Sequence, residues 1–363
     1  MQAIIDQITA TLRSAAERGQ PLHIQGGGSK AFYGHPRAES AESLDITPYQ
    51  GIVNYEPTEL VITARAGTRL SEIESILREH GQMLAFEPPH FASTATLGGC
   101  VAAGLSGPRR AAAGAVRDFV LGVRMLDGTG RDLHFGGQVM KNVAGYDVSR
   151  LVAGCMGTLG VLLEVSLKVL PLPAAEKTIS LEMNAAQAIK QMNQWAGKPL
   201  PISATCHVDG QLYIRLSGAE TAIHAAQTQL GGESRADDET FWQSLREQTH
   251  PFFKPAASLW RLSVKSTAPE YHLPGKQLLE WNGALRWLVC QHDTNNEDSD
   301  SAAHVIREAA TAAGGHATLF RGQHHTTPVF HPLTPALLSL HRRLKQQFDP
   351  AGILNPGRLY PEF

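Results

Sequence analysis

Glycine carries the strongest chemical signal in this 363-residue chain. Gly26-Gly27-Gly28-Ser29-Lys30 follows the short apolar segment Leu22-His23-Ile24-Gln25, and a second glycine-dense stretch, Thr94-Ala95-Thr96-Leu97-Gly98-Gly99, comes later. Without a Cβ the backbone can take positive φ and turn several N–H groups toward one anion, so a pair of such loops points to a bound pyrophosphate. Taken alone, the first loop is weak evidence and reads more readily as a turn than as a phosphate loop. It lacks the G-x-G-x-x-G spacing, and no G-x-x-x-x-G-K-[ST] occurs. Small residues continue through Ala102-Ala103-Gly104 and Ser106-Gly107, which suits either a planar ring lying on the backbone or a tightly packed helix. Lys141-Asn142-Val143-Ala144-Gly145-Tyr146-Asp147 and Gly154-Cys155-Met156-Gly157-Thr158-Leu159-Gly160-Val161 complete an ordered series of such elements. Of the 34 glycines, 22 fall in residues 1–172, so the first half is built around close backbone approach.

Side chains offer less. His316, His324, His325 and His331 carry imidazoles able to bind a metal or accept a proton. Adjacent His324 and His325 point apart in an extended chain, and no paired carboxylate motif accompanies them, so they read by default as polar loop or interface residues and no metal site is assigned. Cys100, Cys155, Cys206 and Cys290 are widely spaced with no C-x-x-C pair, which encodes neither an iron–sulfur cluster nor a zinc site and fits reduced thiols. Met140, Trp260, Trp281 and Trp287 read as core or interface, and Asp147 as a helix cap.

These residues need elements to hold them. The length predicts two domains, and 42% hydrophobic with 18% charged content is that of a soluble globular protein. With 32 basic against 34 acidic residues, no global field recruits nucleic acid, and Arg109-Arg110 and Arg342-Arg343 read as solvated faces. Ile4, Ile5, Ile8 and Leu12 predict an amphipathic first helix, unlike a secretion signal, and the uncharged run Pro88 to Pro108 is too broken by proline and glycine to span a membrane. Strands are expected at 52–55, 60–64, 120–126, 132–135 and 161–170, with a helix over 70–80 closed by Gly81. Pro171 and Pro173 look like a domain boundary. Beyond them the order is β-α-β-β-α: strand 179–181, helix 185–195, strands 204–208 and 211–216, helix 220–230. A similar set recurs with strands 259–264 and 285–289, helix 302–313 and strand 317–320. Asn295–Ser301 reads as an acidic loop, and helix 335–348 carries Leu337, Leu340, Leu344 and Phe348 on one stripe.

The glycine series resembles the FAD domain of the vanillyl-alcohol oxidase superfamily, the p-cresol methylhydroxylase-type fold, over essentially all of residues 1–172. The likeness returns in Phe348-Asp349-Pro350-Ala351-Gly352-Ile353-Leu354-Asn355-Pro356-Gly357-Arg358. It implies an α+β fold class: a two-subdomain p-cresol methylhydroxylase-type FAD-binding domain (1–172), a ferredoxin-like α+β cap domain on the substrate side (173–333), and a C-terminal segment (334–363) returning to the FAD domain. By that resemblance the pyrophosphate would lie on Gly26, Gly27, Gly28, Ser29 and Lys30. Pro89, Thr94, Thr96, Leu97, Gly98, Gly99, Gly104, Ser106, Gly107, Asp118, Gly157, Gly160 and Val161 would line the rest of FAD. The first loop offers no histidine for flavin attachment, so noncovalent FAD is expected.

Within the superfamily, Lys141 to Pro171 is most similar to the smaller FAD-binding subunits of bacterial glycolate oxidase complexes. That likeness implies an FAD-dependent oxidoreductase subunit acting on a small 2-hydroxy acid, glycolate to glyoxylate. The implied partners are a larger FAD-containing glycolate oxidase subunit and an iron–sulfur subunit, and the implied place is the cytoplasm, reaching the inner face of the membrane only through those partners. The larger flavoproteins carry an Arg-His-x-Gly-Asp-Gly-Asn-x-His cluster and a Gly-Glu-His-Gly segment. This chain has neither, and Arg321 stands near where the second segment's histidine is expected. A guanidinium binds carboxylate but is no base near neutral pH. The main catalytic site is therefore expected in the partner flavoprotein, with Arg321, His324 and His325 as this chain's candidates. Two alternatives stay open: an autonomous FAD-dependent 2-hydroxy-acid or alcohol dehydrogenase, and a non-catalytic assembly module of the same fold.

Overall fold

The first helix, Gln2–Arg18, forms because Ile5, Ile8, Leu12 and Ala15 recur at helical spacing and are buried together. Gly19 ends it at φ 63, its N–H donating to Ala15 O and Ala16 O. In this computed structural model residues 1–137, 147–236, 238–254, 258–290, 299–322 and 327–363 are described. They divide into two compact units. The first comprises Met1–Ser106, Gly114–Leu172 and Pro332–Phe363; the second comprises Gly107–Ala113 and Pro173–His331. Residues 107–113, read from sequence with the amino-terminal domain, pack into the second unit, and the C-terminal return begins at Pro332 rather than at residue 334.

The first unit holds two small sheets and one larger one. Leu22–Gln25 pairs in parallel with Glu42–Asp45. Five antiparallel strands follow in the order Ile52–Glu56, Val61–Arg65, Val161–Lys168, Val120–Leu126, Asp132–Gly136. Val161–Lys168 is the central strand, and its residues Val161, Leu163, Val165 and Leu167 are fully buried. The helix Leu70–Glu79 buries Leu70, Ile73 and Leu77, with Gly81 at φ 65 just beyond it. Gln82–Met83 and Leu170–Pro171 form the remaining two-stranded sheet.

The second unit is one eight-stranded sheet in the order Glu233–Ser234, Ala175–Glu182, Gln211–Gly218, Ile202–Val208, Lys276–Glu280, Leu285–Cys290, Ser258–Ser263, His316–Arg321. The two strand sets expected from sequence join in this sheet through Lys276–Glu280, which pairs with Ile202–Val208 on one side and Leu285–Cys290 on the other. Lys-Gln-Leu-Leu-Glu has no β-branched or aromatic residue, so its extended state comes from its neighbours' unpaired edges rather than from propensity. The helices Ala185–Ala196 and Glu220–Leu230 cover one apolar cluster around Ile179, Leu212, Ile214 and Leu216. A second cluster gathers Trp260, Leu262, Leu288 and Leu319 with Ile306 and Ala310 of the helix Ser299–Ala312.

Several expectations are corrected. That last helix begins at Ser299, so Ser299–Ser301 are helical, and residues 295–298 lie outside the described residues. Helix Asp238–Arg246 was not anticipated. Arg109 is not solvated. At 7% exposure it pairs with Glu176 and donates to Ser217 Oγ at 3.4 Å, while Arg110 stacks on Trp281 at 4.3 Å. Arg342 and Arg343 are exposed.

The C-terminal helix Pro335–Phe348 leaves Leu337 and Leu340 exposed, contrary to the expected apolar stripe. Its buried residue is Lys345, whose ammonium pairs with Asp349 Oδ2 at 2.7 Å and donates to Leu354 O at 2.6 Å and Thr158 O at 3.0 Å. Burial lowers the Lys345 pKa, opposed by the Asp349 charge. Asp349 in turn accepts from Ile353 N at 3.1 Å and Leu354 N at 2.7 Å. Replacing Lys345 by Met strands a fully buried carboxylate, so Lys345→Met is expected to lower unfolding free energy by about 3–5 kcal/mol, read by urea denaturation.

Candidate functional site

The strand Leu22–Gln25 ends where the glycine loop begins, and Gln25 O is taken by Ile46 N at 2.9 Å. Gly28 sits at φ 69. The backbone N–H groups of Gly27, Gly28 and Ser29 donate to no group among the described residues. Consecutive unspent amides on a turn with positive φ make a concave anion receptor. The loop is pressed against the second glycine segment: a Cβ on Gly27 would lie 1.5 Å from Thr94 O, and one on Gly26 would lie 2.5 Å from Thr96 Oγ1. Thr94 Oγ1 donates to Gly27 O at 2.6 Å, fixing the contact.

The second segment has a different task. Thr96 caps the helix Leu97–Ala103 by accepting from Gly99 N, while Leu97 N donates to Thr68 O at 2.9 Å and Gly98 N to Ala66 O at 2.8 Å. Those amides are spent on protein. Of the two loops expected to offer backbone donors, the first has unspent ones and the second buttresses it. Gly104 ends the helix at φ 68, where a Cβ would lie 2.8 Å from Gly154 Cα.

A cavity of about 510 Å³ opens over the first loop, lined by Gly26, Gly27, Gly28, Ser29, Lys30, Thr96 and Gly99 of the expected residues. An adjoining cavity of about 70 Å³ adds Gly98, Gly157 and Gly160. The larger volume falls in the range of cofactor sites. Its wall also carries His23, Arg37, Met156, Asn355 and Arg358, none of which was assigned from sequence. Lys30 Nζ lies 3.4 Å from His90 O and 5.6 Å from the centre of the Phe91 ring. Burial, then the Arg358 and Arg37 charges, lowers the His23 pKa. Backbone amides with Lys30, Arg37 and Arg358 nearby suit a group bearing two phosphate charges, so the residues present fit the pyrophosphate of FAD.

Arg358, on the cavity wall, ties down the turn that follows the first loop, donating to Ala31 O at 2.7 Å, Tyr33 O at 2.5 Å and to His35 O. Asn355 and Arg358 belong to the closing segment recognised in the sequence. Their spacing in Asn-Pro-Gly-Arg was the available signal, but nothing local ties them to a loop at the other end of the chain.

Other expected residues stand apart from the cavity. Pro89 and Leu97 are buried, Val161 lies inside its strand, Ser106 Oγ accepts from Val116 N at 3.0 Å, and Gly107 belongs to the second unit, accepting from Trp281 Nε1 at 3.0 Å. Asp118 caps a short helix by accepting from Ala115 N at 2.8 Å. Asp147 caps the helix Val148–Leu151, accepting from Arg150 N at 3.1 Å; Met140 and residues 141–146 lie outside the described residues.

Arg321 ends its strand half-buried, and burial lowers its pKa. His324 and His325 lie outside the described residues, and His331 Nδ1 accepts from Ala317 N at 3.3 Å. Among the described residues no group of three or more His, Cys, Asp or Glu could hold a metal ion, and no helix is long and apolar enough to cross a membrane. All four cysteines are free, and burial pushes the Cys100 thiol up to about 12.

Comparison with known proteins places this geometry. Residues 3–136 match the model of an FAD binding domain, and residues 292–359 match that of the C-terminal domain of FAD linked oxidases. The chain is 49% identical over 361 residues to the glycolate oxidase subunit GlcE of Escherichia coli, covering 99% of this chain and 97% of the relative. It is 25% identical to a D-lactate dehydrogenase of Archaeoglobus fulgidus, covering 98% and 89%. It shares the fold of p-cresol methylhydroxylase, with a TM-score of 0.71 at 14% identity, covering 98% and 87%. The cofactor is FAD and the fold is the p-cresol methylhydroxylase type.

Gly27→Ala drives a methyl into the Thr94 carbonyl, so it is expected to weaken FAD at least about tenfold, about 1.4 kcal/mol, in a fluorescence titration. Gly81→Ala, with nothing within 4 Å of the new methyl, is the control and leaves FAD affinity unchanged.

Proposed function

Because this chain belongs to the FAD linked oxidase family, in the group of the glycolate oxidase subunit GlcE, we propose that it is the FAD-binding subunit of a complex oxidising glycolate to glyoxylate. The observation that carries the reading is the loop Gly27, Gly28 and Ser29, its amides unspent among the described residues, lining a cavity of about 510 Å³ in a chain so similar to that subunit.

The reaction removes two electrons and two protons from glycolate, and the FAD held by this chain would supply a two-electron centre that can take up or relay those electrons within the complex. This chain's residues bind and orient that FAD. Gly27, Gly28 and Ser29 would hold the pyrophosphate, with Lys30, Arg37 and Arg358 balancing its charge and Gly157 and Gly160 lining the narrower recess. The first loop has no histidine, so FAD is held without a covalent bond. Arg321 is suited to a carboxylate rather than to proton abstraction. The principal site of glycolate oxidation therefore resides in a larger partner flavoprotein, with an iron–sulfur subunit carrying electrons onward. The complex works in the cytoplasm and meets the membrane only through those partners.

One spectrum tests this. The isolated protein is expected to show flavin absorption, to release its FAD into the supernatant on acid precipitation, and to bleach slowly with anaerobic glycolate until the larger flavoprotein is added. Rapid bleaching of the isolated chain would select an autonomous dehydrogenase. Colourless protein that takes up no FAD would select an assembly module.

A further inference from the structure

Asn355 spans the cavity wall. Its Oδ1 accepts from Ile24 N at 2.8 Å, on the strand that leads into the glycine loop. Its Nδ2 donates to Met156 O at 2.7 Å, on the turn that supplies Gly157 and Gly160. The two partners belong to segments far apart in sequence, and Ile24, Met156 and Asn355 line both the larger and the smaller cavity. A primary amide offers an acceptor and a donor on one short planar group without depending on its protonation state. The residue is also held in place. Its backbone takes the left-handed conformation at φ 42, which asparagine tolerates better than most residues. Asn355 N donates to Leu22 O at 3.0 Å, and a Cβ on Gly157 would lie 2.7 Å from Nδ2.

We propose that Asn355 is a positioning residue for FAD: bridging Ile24 N–H and Met156 C=O, it fixes the distance between the glycine loop and the Gly157–Gly160 turn, and so sets how tightly the cofactor is held. It acts through those two backbone groups. The proposal rests on FAD binding and not on glycolate as substrate, so a failure to oxidise glycolate leaves it standing.

The test is FAD affinity of the full-length apoprotein, followed by flavin fluorescence, with thermal melting of the same samples. Asn355→Gly keeps the left-handed backbone and deletes both bonds, and it is expected to weaken FAD about tenfold or more. Asn355→Asp keeps the acceptor toward Ile24 N but sets a carboxylate against Met156 O. Lone pairs then face each other, which raises the pKa of the new carboxyl against the opposing pull of the Ile24 N–H and of the Arg37 and Arg358 charges on the same cavity wall, and protonation restores a donor. Affinity of Asn355→Asp relative to wild type is therefore expected to be lowest at about pH 8 and to recover as pH falls to about 5. A purely structural role would lower melting temperature without this pH-dependent recovery. FAD affinity within about twofold of wild type for both variants overturns the proposal, as does a flat ratio of Asn355→Asp to wild type across pH. Loss of the folded state in both variants at every pH also overturns it, by making Asn355 a determinant of the whole fold.

Discussion

The return of the chain's last residues onto its first strand is the constraint on which the cofactor site depends. Leu22 N donates to Ile353 O at 2.7 Å and Asn355 N to Leu22 O at 3.0 Å, so the segment after the final helix pairs in parallel with the strand feeding the glycine loop. The buried Lys345–Asp349 pair holds the end of that helix, binds the carbonyl of Thr158, and satisfies the amides of Ile353 and Leu354. Arg358 then threads the carbonyls of Ala31, Tyr33 and His35. A glycine-rich loop by itself loses more conformational entropy on ordering than any other sequence. Here the segments on either side of the loop are fixed by groups more than three hundred residues away in sequence, as the separation of 331 between Ile24 and Asn355 shows.

Receptor and support are divided between the two glycine-dense segments. Phosphate recognition through backbone amides requires them to remain unpaired within the protein while the turn stays rigid. Thr94 and Thr96 meet both demands by packing against Gly27 and Gly26, leaving the Gly27, Gly28 and Ser29 N–H groups unspent among the described residues. The second segment can do so because its own amides are committed to Ala66 and Thr68. Rigid backing with open donors is the preorganisation that keeps an anion's binding energy from being lost to loop ordering.

The second unit follows a different logic, in which side chains fix the sheet. Arg109 enters from a short segment between residues 107 and 113 and joins Glu176, Ser217, Ser203 and Arg215 in one polar chain at the ends of three strands. Trp281, at φ 51, donates to Gly107 O and receives the guanidinium groups of Arg110 and Arg261 at 4.3 and 5.3 Å. The segment 107–113 is thus tied into the second unit by the Arg109–Glu176 ion pair, the Arg109–Ser217 and Trp281–Gly107 hydrogen bonds and the stacking of Arg110 on Trp281.

The sequence by itself determined whatever short-range rules govern. Helical spacing placed Gln2–Arg18, Glu220–Leu230 and Pro335–Phe348, apolar runs placed Val120–Leu126 and Val161–Lys168, and the glycine series pointed to FAD. Tertiary structure alone decided which of those residues meet. Lys276–Glu280 is a strand only because two edges flank it, and Arg109 is buried only because Glu176 awaits it. Asn355 and Arg358 line the cavity only because the chain turns back on its first strand. Propensity and periodicity act over a few residues, whereas burial of a charge or closure of a cavity depends on partners brought near by the fold, and neighbours in sequence carry no record of that distance.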